Sequence, residues 1–181
     1  VDLADEPEGG RAIAHPTFGP EPSWLVFAHG PQSWLGEDEA PTRAALYLSR
    51  EEGAPARLAN LLPHGVASAT WPRFAPRPTG TGSLERYWLV FLSRAPFGND
   101  DAGTRGTLHR QLWLAALDAN APAGTDPSRA PVRLPLQNVE AQSLGADFRA
   151  RACAEVGEAC SASAQCCLGR CAVEDDVLRC R

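Results

Sequence analysis

The sequence predicts an all-β protein in which repeated four-stranded units precede a small disulfide-rich module. Three observations predict this fold class. A pattern of four short strand-like segments recurs along the chain, no long stretch shows helical periodicity, and all six cysteines lie within residues 153–180.

The repeat spans two copies, at about residues 12–62 and 67–136, and a third copy begins at 141–148. Each complete copy has the same four landmarks in the same order. They are His15–Pro20, Trp24–Phe27, Ala45–Leu48 and Ala56–Leu58 in the first copy, and Trp71–Pro76, Trp88–Phe91, Gln111–Leu114 and Val132–Leu134 in the second. The third copy, which parallels Ala67–Phe74, stops at Phe148.

The apolar patterns of these segments predict how the strands pack. The second segment of each copy is apolar on consecutive residues, which is typical of a strand buried on both faces. Sheets stacked around an axis bury such strands. The third segment alternates, so that Tyr47 and Trp113 face away from the leucines on either side of them. Proline-rich connections at 75–82 and 121–127 suit turns.

The landmarks resemble the TolB-like (PD40) β-propeller repeat. The proline-flanked aromatic motif of that repeat matches segments 16–20 and 72–76. Its later strand matches Leu46-Tyr47 and Leu112-Trp113. Both copies lack the Asp-Gly turn of the family. The resemblance implies about two propeller-like blades within residues 1–148. Propellers have four to eight blades. We therefore expect that a partner chain or a processed precursor supplies the rest; a face-to-face sandwich is the alternative.

The cysteines define a second module at residues 153–181. A segment of this size cannot bury a sufficient core, and six clustered cysteines with the adjacent pair Cys166-Cys167 indicate disulfides rather than a metal site. Such bonds form in an oxidising compartment, so we expect an extracytoplasmic protein that is periplasmic, surface-exposed or secreted. Six cysteines allow about fifteen pairings.

The cysteine spacing resembles the inhibitor cystine knot, or knottin. In that family the first cysteine pairs with the fourth, the second with the fifth and the third with the sixth. The resemblance implies the pairs Cys153–Cys167, Cys160–Cys171 and Cys166–Cys180. We interpret the knot as a stabilising clip. The alternative is a knottin-type effector or inhibitor carried on the β domain, with Arg170 as its anchor residue.

Composition excludes several kinds of partner. The net charge of −5 gives no electrostatic basis for binding nucleic acid or an anionic membrane. The longest apolar run, Tyr87–Leu92, has the length of a strand and not the roughly 20 residues of a membrane span. The chain contains no methionine, so we expect that Val1 follows a removed signal peptide or a longer precursor.

Few residues suggest a ligand site. Four histidines, at positions 15, 29, 64 and 109, share no ligand spacing, so we predict neither a metal site nor a cofactor. The acidic loop 98–106 leaves calcium open as an alternative. Four of the five tryptophans lie on repeat landmarks, which favours core packing. Trp34 lies in the loop 30–36, and we predict that it contacts a partner.

The sequence predicts no enzymatic activity. It has no Gly-x-Ser-x-Gly motif, and the glycine-rich segment 80–83 lacks the lysine of a phosphate-binding loop. We therefore interpret the chain as a structural or accessory subunit that binds other protein chains through its β repeats. The alternative from another class is the non-catalytic portion of a hydrolase.

Overall fold

The computed structural model describes residues 12–30, 44–51, 53–61, 68–95, 109–135, 137–138, 143, 145–148, 157, 159–160, 171–174 and 177–180. The chain divides into two compact units, Val1–Phe148 and Arg149–Arg181. The described secondary structure is almost entirely strand in antiparallel sheets, with two short 3₁₀ turns. The predicted all-β fold class is therefore confirmed.

The first sheet is a four-stranded meander that lies within the first sequence copy. Its strands are β1 (Ala12–Phe18), β2 (Leu25–Gly30), β3 (Ala45–Ser49) and β4 (Ala56–Arg57), paired in the order β1-β2-β3-β4. A 3₁₀ turn at Ala59–Leu61 follows β4. Aromatic and aliphatic residues fill β2 and β3, as expected for strands that pack on neighbours at both faces.

The second sheet repeats this arrangement within the second sequence copy. Its strands are β5 (Ala69–Phe74), β6 (Arg86–Ser93), β7 (Gln111–Asp118) and β8 (Val132–Arg133), paired in the order β5-β6-β7-β8. A 3₁₀ turn at Gly82–Leu84 precedes β6. Position 80 requires glycine, because its φ is 76° and a Cβ there would lie 2.3 Å from the carbonyl oxygen of Leu84.

Residues that repeat in the sequence occupy the same places in the two hydrogen-bond ladders. Tyr47 lies opposite Arg57 in the first sheet, and Trp113 lies opposite Arg133 in the second. Just beyond each of these pairs a leucine amide donates to a leucine carbonyl, Leu58 to Leu46 at 2.9 Å and Leu134 to Leu112 at 3.0 Å. The repeat therefore extends from residue type to individual hydrogen bonds.

The second strand of each sheet is buried on both of its faces, as its consecutive apolar residues predict. In β2, Val26 is 0 % exposed and its neighbour Phe27 is 6 % exposed; in β6, Val90 and Phe91 are 4 % and 1 % exposed. Each large apolar side chain that is fully buried contributes about 1.5–3 kcal/mol to folding. Because residues of this chain already cover both faces, these strands present no open apolar surface.

The two sheets pack against each other through their first strands and through an aromatic contact. β5 contacts β1, β2 and β3. The ring of Trp24 meets that of Tyr87 edge-on, with 4.7 Å between the centroids. The guanidinium of Arg50 lies 3.9 Å above the ring of Trp24 and donates a 2.6 Å hydrogen bond to the carbonyl of Ala121. This arrangement joins the first sheet to the β7–β8 connection of the second.

The carboxylate of Asp126, also in the β7–β8 connection, links the two sheets by hydrogen bonds. Its Oδ2 accepts hydrogen bonds from the amide of Ala59 at 2.8 Å, from the amide of Asn60 at 3.3 Å and from the side chain of Asn60 at 3.2 Å. Its Oδ1 accepts from the amide and hydroxyl of Ser128. The side chain of Asn60 also donates to the carbonyl of Ser128. The carboxylate thus caps the 3₁₀ turn of one sheet from a loop of the other.

The C-terminal unit contains a two-stranded hairpin of β9 (Cys171–Glu174) and β10 (Val177–Cys180). A disulfide joins Cys160 to Cys171, which is one of the three pairs that the knottin resemblance implied. Cys160 also donates its amide hydrogen to the carbonyl of Leu178 at 3.0 Å. Cys180 is disulfide-bonded as well. The other two implied pairs involve Cys153, Cys166 and Cys167, which lie outside the described residues.

Candidate functional site

The first strand of each sheet has a β-bulge at the same repeat position. The ladder register shifts between Ala14 and Thr17 in β1 and between Thr70 and Arg73 in β5. Inside the bulges, His15 has a φ of 51° and Trp71 a φ of 53°; among the described residues they are the only ones other than glycine with positive φ. This left-handed conformation costs about 1–2 kcal/mol for a residue with a side chain.

His15 and Trp71 are stacked on each other. Their ring centroids lie 4.0 Å apart with 26° between the ring planes. β1 and β5 are edge strands of their own sheets and contact each other, which brings the two bulges together. Stacking of this kind contributes about 0.5–1.5 kcal/mol beyond the burial of area, which offsets part of the backbone strain. Trp71 nevertheless keeps 38 % of its surface exposed.

The charges of two arginines act on His15 in the stack. Partial burial lowers the pKa of His15 below its usual value, and the nearby charges of Arg73 and Arg110 lower it further. We therefore assign a neutral imidazole to His15 at neutral pH. The neutral ring packs on the indole without adding a charge to those of the two arginines.

The edge strand β1 also presents apolar side chains to solvent. Ile13 is 64 % exposed and Phe18 is 68 % exposed. Together with Trp71 they place three exposed large apolar residues on the two bulged strands. Aromatic and aliphatic side chains that stay exposed beside unpaired strand edges are a common feature of protein-binding surfaces.

A backbone hydrogen bond from the start of the second copy recurs at Ser143, where the sequence predicts a third copy. Ser143 donates its amide hydrogen to the carbonyl of Arg110 at 2.8 Å, just before β7. The equivalent bond of the second copy runs from Ala69 to Ala44, just before β3, and is also 2.8 Å long. Gly145 has the repeat position of His15 and Trp71, but its φ of 159° differs from the left-handed conformation of those two residues. Ser143 therefore makes the same backbone bond as the first residue of β5.

The segment 145–148 has no strand partner in the part of the chain that the structure describes. None of its residues belongs to a ladder or an isolated bridge, and its one described hydrogen bond runs from the amide of Phe148 to the side chain of Asp147. Gly145 and Asp147 are exposed.

Several predicted site residues lie outside the described residues. These are Trp34 and Arg170, which were predicted to contact partners, the acidic loop 98–106, and His64. Both predicted partner contacts remain predictions.

The remaining histidines and tryptophans have different environments. His29 is 2 % exposed and its ring meets that of Tyr47 edge-on, with 5.7 Å between the centroids. Trp24 and Trp113 are buried, as the core-packing interpretation requires. Trp71 departs from that interpretation, because it lies in a partly exposed stack. Within the described ranges no group of three histidine, cysteine, aspartate or glutamate side chains could hold a metal ion.

Sequence reasoning placed His15 opposite Trp71 in the repeat but missed their contact. Each residue precedes a proline, Pro16 or Pro72, and each sits two residues before the strand resumes its register. An aromatic residue followed by proline at the same point of both copies is the signal that could have indicated a shared bulge. The ring contact itself depends on how the sheets pack.

No protein-family model matches the chain, and neither a curated protein nor a solved structure matches it. Among the described residues, no helix is both long and apolar enough to span a membrane.

Proposed function

We propose that this protein is a non-enzymatic accessory subunit that acts outside the cytoplasm and binds another protein chain through its β repeats. The C-terminal unit acts as a stabilising clip. The observation that carries the proposal is the bond from Ser143 to Arg110, which repeats the bond from Ala69 to Ala44 where the sequence predicts the start of a third copy. An unfinished repeat leaves unpaired strand edges, and such edges favour association.

Three structural features support a propeller-like arrangement for the repeats. Each sheet is a four-stranded meander in chain order, the second strand is buried on both faces, and the first strands of successive sheets contact each other. Blades that radiate from an axis with their first strands innermost have these features. In the proposed assembly, the bound chain supplies further β structure beside the third copy.

The disulfide between Cys160 and Cys171 supports an extracytoplasmic location. Disulfides persist in oxidising compartments and are rare in the cytosol. A location in the periplasm, at the cell surface or in the extracellular medium accords with this bond.

The mass of the native particle tests the proposal. We expect native mass spectrometry of the protein isolated from its source to show a complex that contains this chain and a different chain. A particle with the mass of the single chain would overturn the accessory-subunit proposal. Labelling of the chain by a broad serine-hydrolase probe would overturn its non-enzymatic part.

One observation favours a second candidate, a knottin-type effector that acts through its hairpin. Val173 and Leu178 lie directly opposite each other in the ladder, and they are 66 % and 41 % exposed. Such a cross-strand apolar pair could serve as a contact point for a target. If the effector function is real, replacing Val173 with serine in the full chain will abolish inhibition of a protease or channel, while an Ile13→Ser variant will retain it.

A further inference from the structure

We propose that the exposed side of β1, formed by Ile13 and Phe18, packs against a β-sheet of a different polypeptide, as β5 packs against the first sheet within this chain. We call these two side chains the β1 face. The inference rests on the proposed function and specifies its binding surface and the kind of partner. It extends the contact between the two sheets by one step of the repeat.

The two hydrogen-bond ladders show which residues of β1 and β5 correspond. The corresponding ladder pairs are Ile13↔His29 and Ala69↔Ser93, then Phe18↔Leu25 and Phe74↔Leu89. The β2 partners of Ile13 and Phe18 lie four residues apart in an extended strand, so both side chains of the β1 face project from the same side of the first sheet. Ile13 is therefore equivalent to Ala69, and Phe18 is equivalent to Phe74.

Burial differs sharply between these equivalent positions. Ala69 is 0 % exposed and Phe74 is 8 % exposed. With the whole chain in place, Ile13 and Phe18 remain 64 % and 68 % exposed. The repeat thus buries a side of β5 that it leaves open on β1.

The first sheet accounts for the burial of β5. β5 contacts β1, β2 and β3. Gly19, directly after β1, approaches the ring of Phe74 so closely that a Cβ on this glycine would lie 3.5 Å from Cε2 of Phe74. A sheet that packs in the same way on β1 would cover Phe18 as the first sheet covers Phe74.

This internal contact indicates the chemistry of the occupant. Isoleucine and phenylalanine carry no polar group, so the surface that covers them is apolar. A glycine at the end of the first strand of the incoming sheet leaves room for the ring of Phe18, as Gly19 does for Phe74. A second copy of this chain does not offer a sheet of the required kind, because both faces of β2 and β6 are already covered within each copy. We therefore assign the occupant to a different chain.

Hydroxyl-radical footprinting tests whether a partner covers the β1 face. The native complex is isolated from its source, and the purified chain alone is the reference. We expect oxidation of Ile13 and Phe18 to fall on the order of fivefold or more in the complex. Oxidation of Leu84, which is 71 % exposed in the turn before β6, should change little. Equal oxidation of Phe18 in the complex and in the free chain would overturn the proposal.

A photoreactive side chain at position 18 tests what kind of structure covers it. The full chain with p-benzoylphenylalanine at this position is expressed in its source and irradiated. We expect a cross-link to a different chain, beside a glycine that follows a β-strand, because Gly19 has that place against Phe74. A cross-link to a helix of the partner would contradict the proposed packing of sheets.

Charged variants of the full chain test the contribution of the β1 face to binding. Phe18→Glu and Ile13→Asp each place a charge in an apolar contact and should weaken the complex on the order of tenfold or more. Leu84→Glu adds the same kind of charge at another exposed residue and should leave the complex unchanged. Thermal unfolding of the three variants, followed by circular dichroism, shows that each is folded. Equal retention of the partner by all three would refute the assignment.

Two further outcomes separate this inference from the proposed function. If the complex with another chain persists in the Phe18→Glu variant, the proposed function stands and the β1 face is not its binding surface. If the purified chain alone forms a dimer that Phe18→Glu dissociates, the occupant is a second copy, and the assignment to a different polypeptide is overturned.

Discussion

At the scale of single residues, His15 and Trp71 show how contact between repeats compensates for local strain. Each adopts a left-handed backbone conformation that side chains disfavour, and each precedes a proline. The stack at 4.0 Å depends on both strained residues, because each bulge turns one ring toward the other. Gly145, at the third repeat position, has a different backbone conformation, with a φ of 159°, and contributes no ring.

At position 71, a glycine variant should be more stable than an alanine variant, which is the reverse of the usual order of stability in a strand. Trp71→Ala removes the stack and keeps the strain, whereas Trp71→Gly removes both, so we expect the glycine variant to be more stable by about 1 kcal/mol. Elsewhere within a strand, the glycine variant of a protein is normally less stable than the alanine variant. Urea denaturation followed by circular dichroism measures the difference. A more stable alanine variant would show that residue 71 does not have positive φ.

The lowered pKa of His15 predicts an acid-dependent loss of stability. The unfolded chain takes up a proton near pH 6.5, whereas the folded chain resists protonation because of burial, Arg73 and Arg110. The free energy of unfolding should therefore fall as the pH drops from about 7 through the folded pKa of His15. A His15→Gln variant should show a smaller fall in denaturant titrations between pH 7 and pH 5. An unchanged pH profile would contradict the assignment.

At the scale of elements, the side chain of Gln137 extends the ladder of β7 where β8 has ended. Its Oε1 accepts from the amide of Leu112 at 2.6 Å, and its Nε2 donates to the carbonyls of Leu112 at 2.9 Å and Leu134 at 2.6 Å. The amide group thus takes the place of a backbone peptide unit. Because β8 has only two residues, this side chain protects the outer edge of the second sheet.

Replacement of Gln137 should expose this edge. We expect Gln137→Ala to lower the free energy of unfolding by about 1–3 kcal/mol, because it leaves the half-buried amide of Leu112 without an acceptor. Gln137→Glu keeps an acceptor for that amide but sets a carboxylate against two carbonyls, so it should also destabilise. Chemical denaturation gives both values. A Gln137→Glu variant as stable as the parent would contradict the donor role of Nε2.

The pairing of strands and the both-sided burial of β2 and β6 were predictable from the sequence, because residue types and their spacing report burial directly. The left-handed backbone of His15 and Trp71 was not predictable in this way, since proline at the next position normally favours extended conformations. The hydrogen bonds of the Gln137 side chain to β7 were not predictable from the sequence either. One amide side chain gives no periodic signal, and Leu112, which it bonds twice, lies 25 residues away in the chain.

At the scale of the whole molecule, the N-terminal unit is held together by a shared apolar core and by polar contacts from one connection. The core cluster contains residues of both sheets, among them Leu46, Tyr47, Phe91 and Trp113. Asp126 adds bonds from the β7–β8 connection to the turn that follows β4. We therefore expect the two sheets to fold and unfold as one cooperative body.

Loss of the Asp126 carboxylate should destabilise both sheets together. Asp126→Ala should lower the free energy of unfolding by about 1–3 kcal/mol, because it removes the acceptor of two amides. Hydrogen exchange in peptides that cover β3 and β7 should accelerate by similar factors. A matched Asp147→Ala variant, which removes an exposed carboxylate elsewhere, should have little effect. Accelerated exchange in one sheet alone would contradict the cooperative body.

The sequence by itself determined the all-β class, the four-part repeat of the two sheets and the clustering of the cysteines near the C-terminus. These features are local or periodic, so residue types and spacing specify them. Only the tertiary structure decided that His15 stacks on Trp71, that Asp126 bridges the sheets and that Ser143 repeats the bond of Ala69. Each of these contacts joins residues far apart in the chain, and their geometry is set by how the sheets pack and not by any one segment.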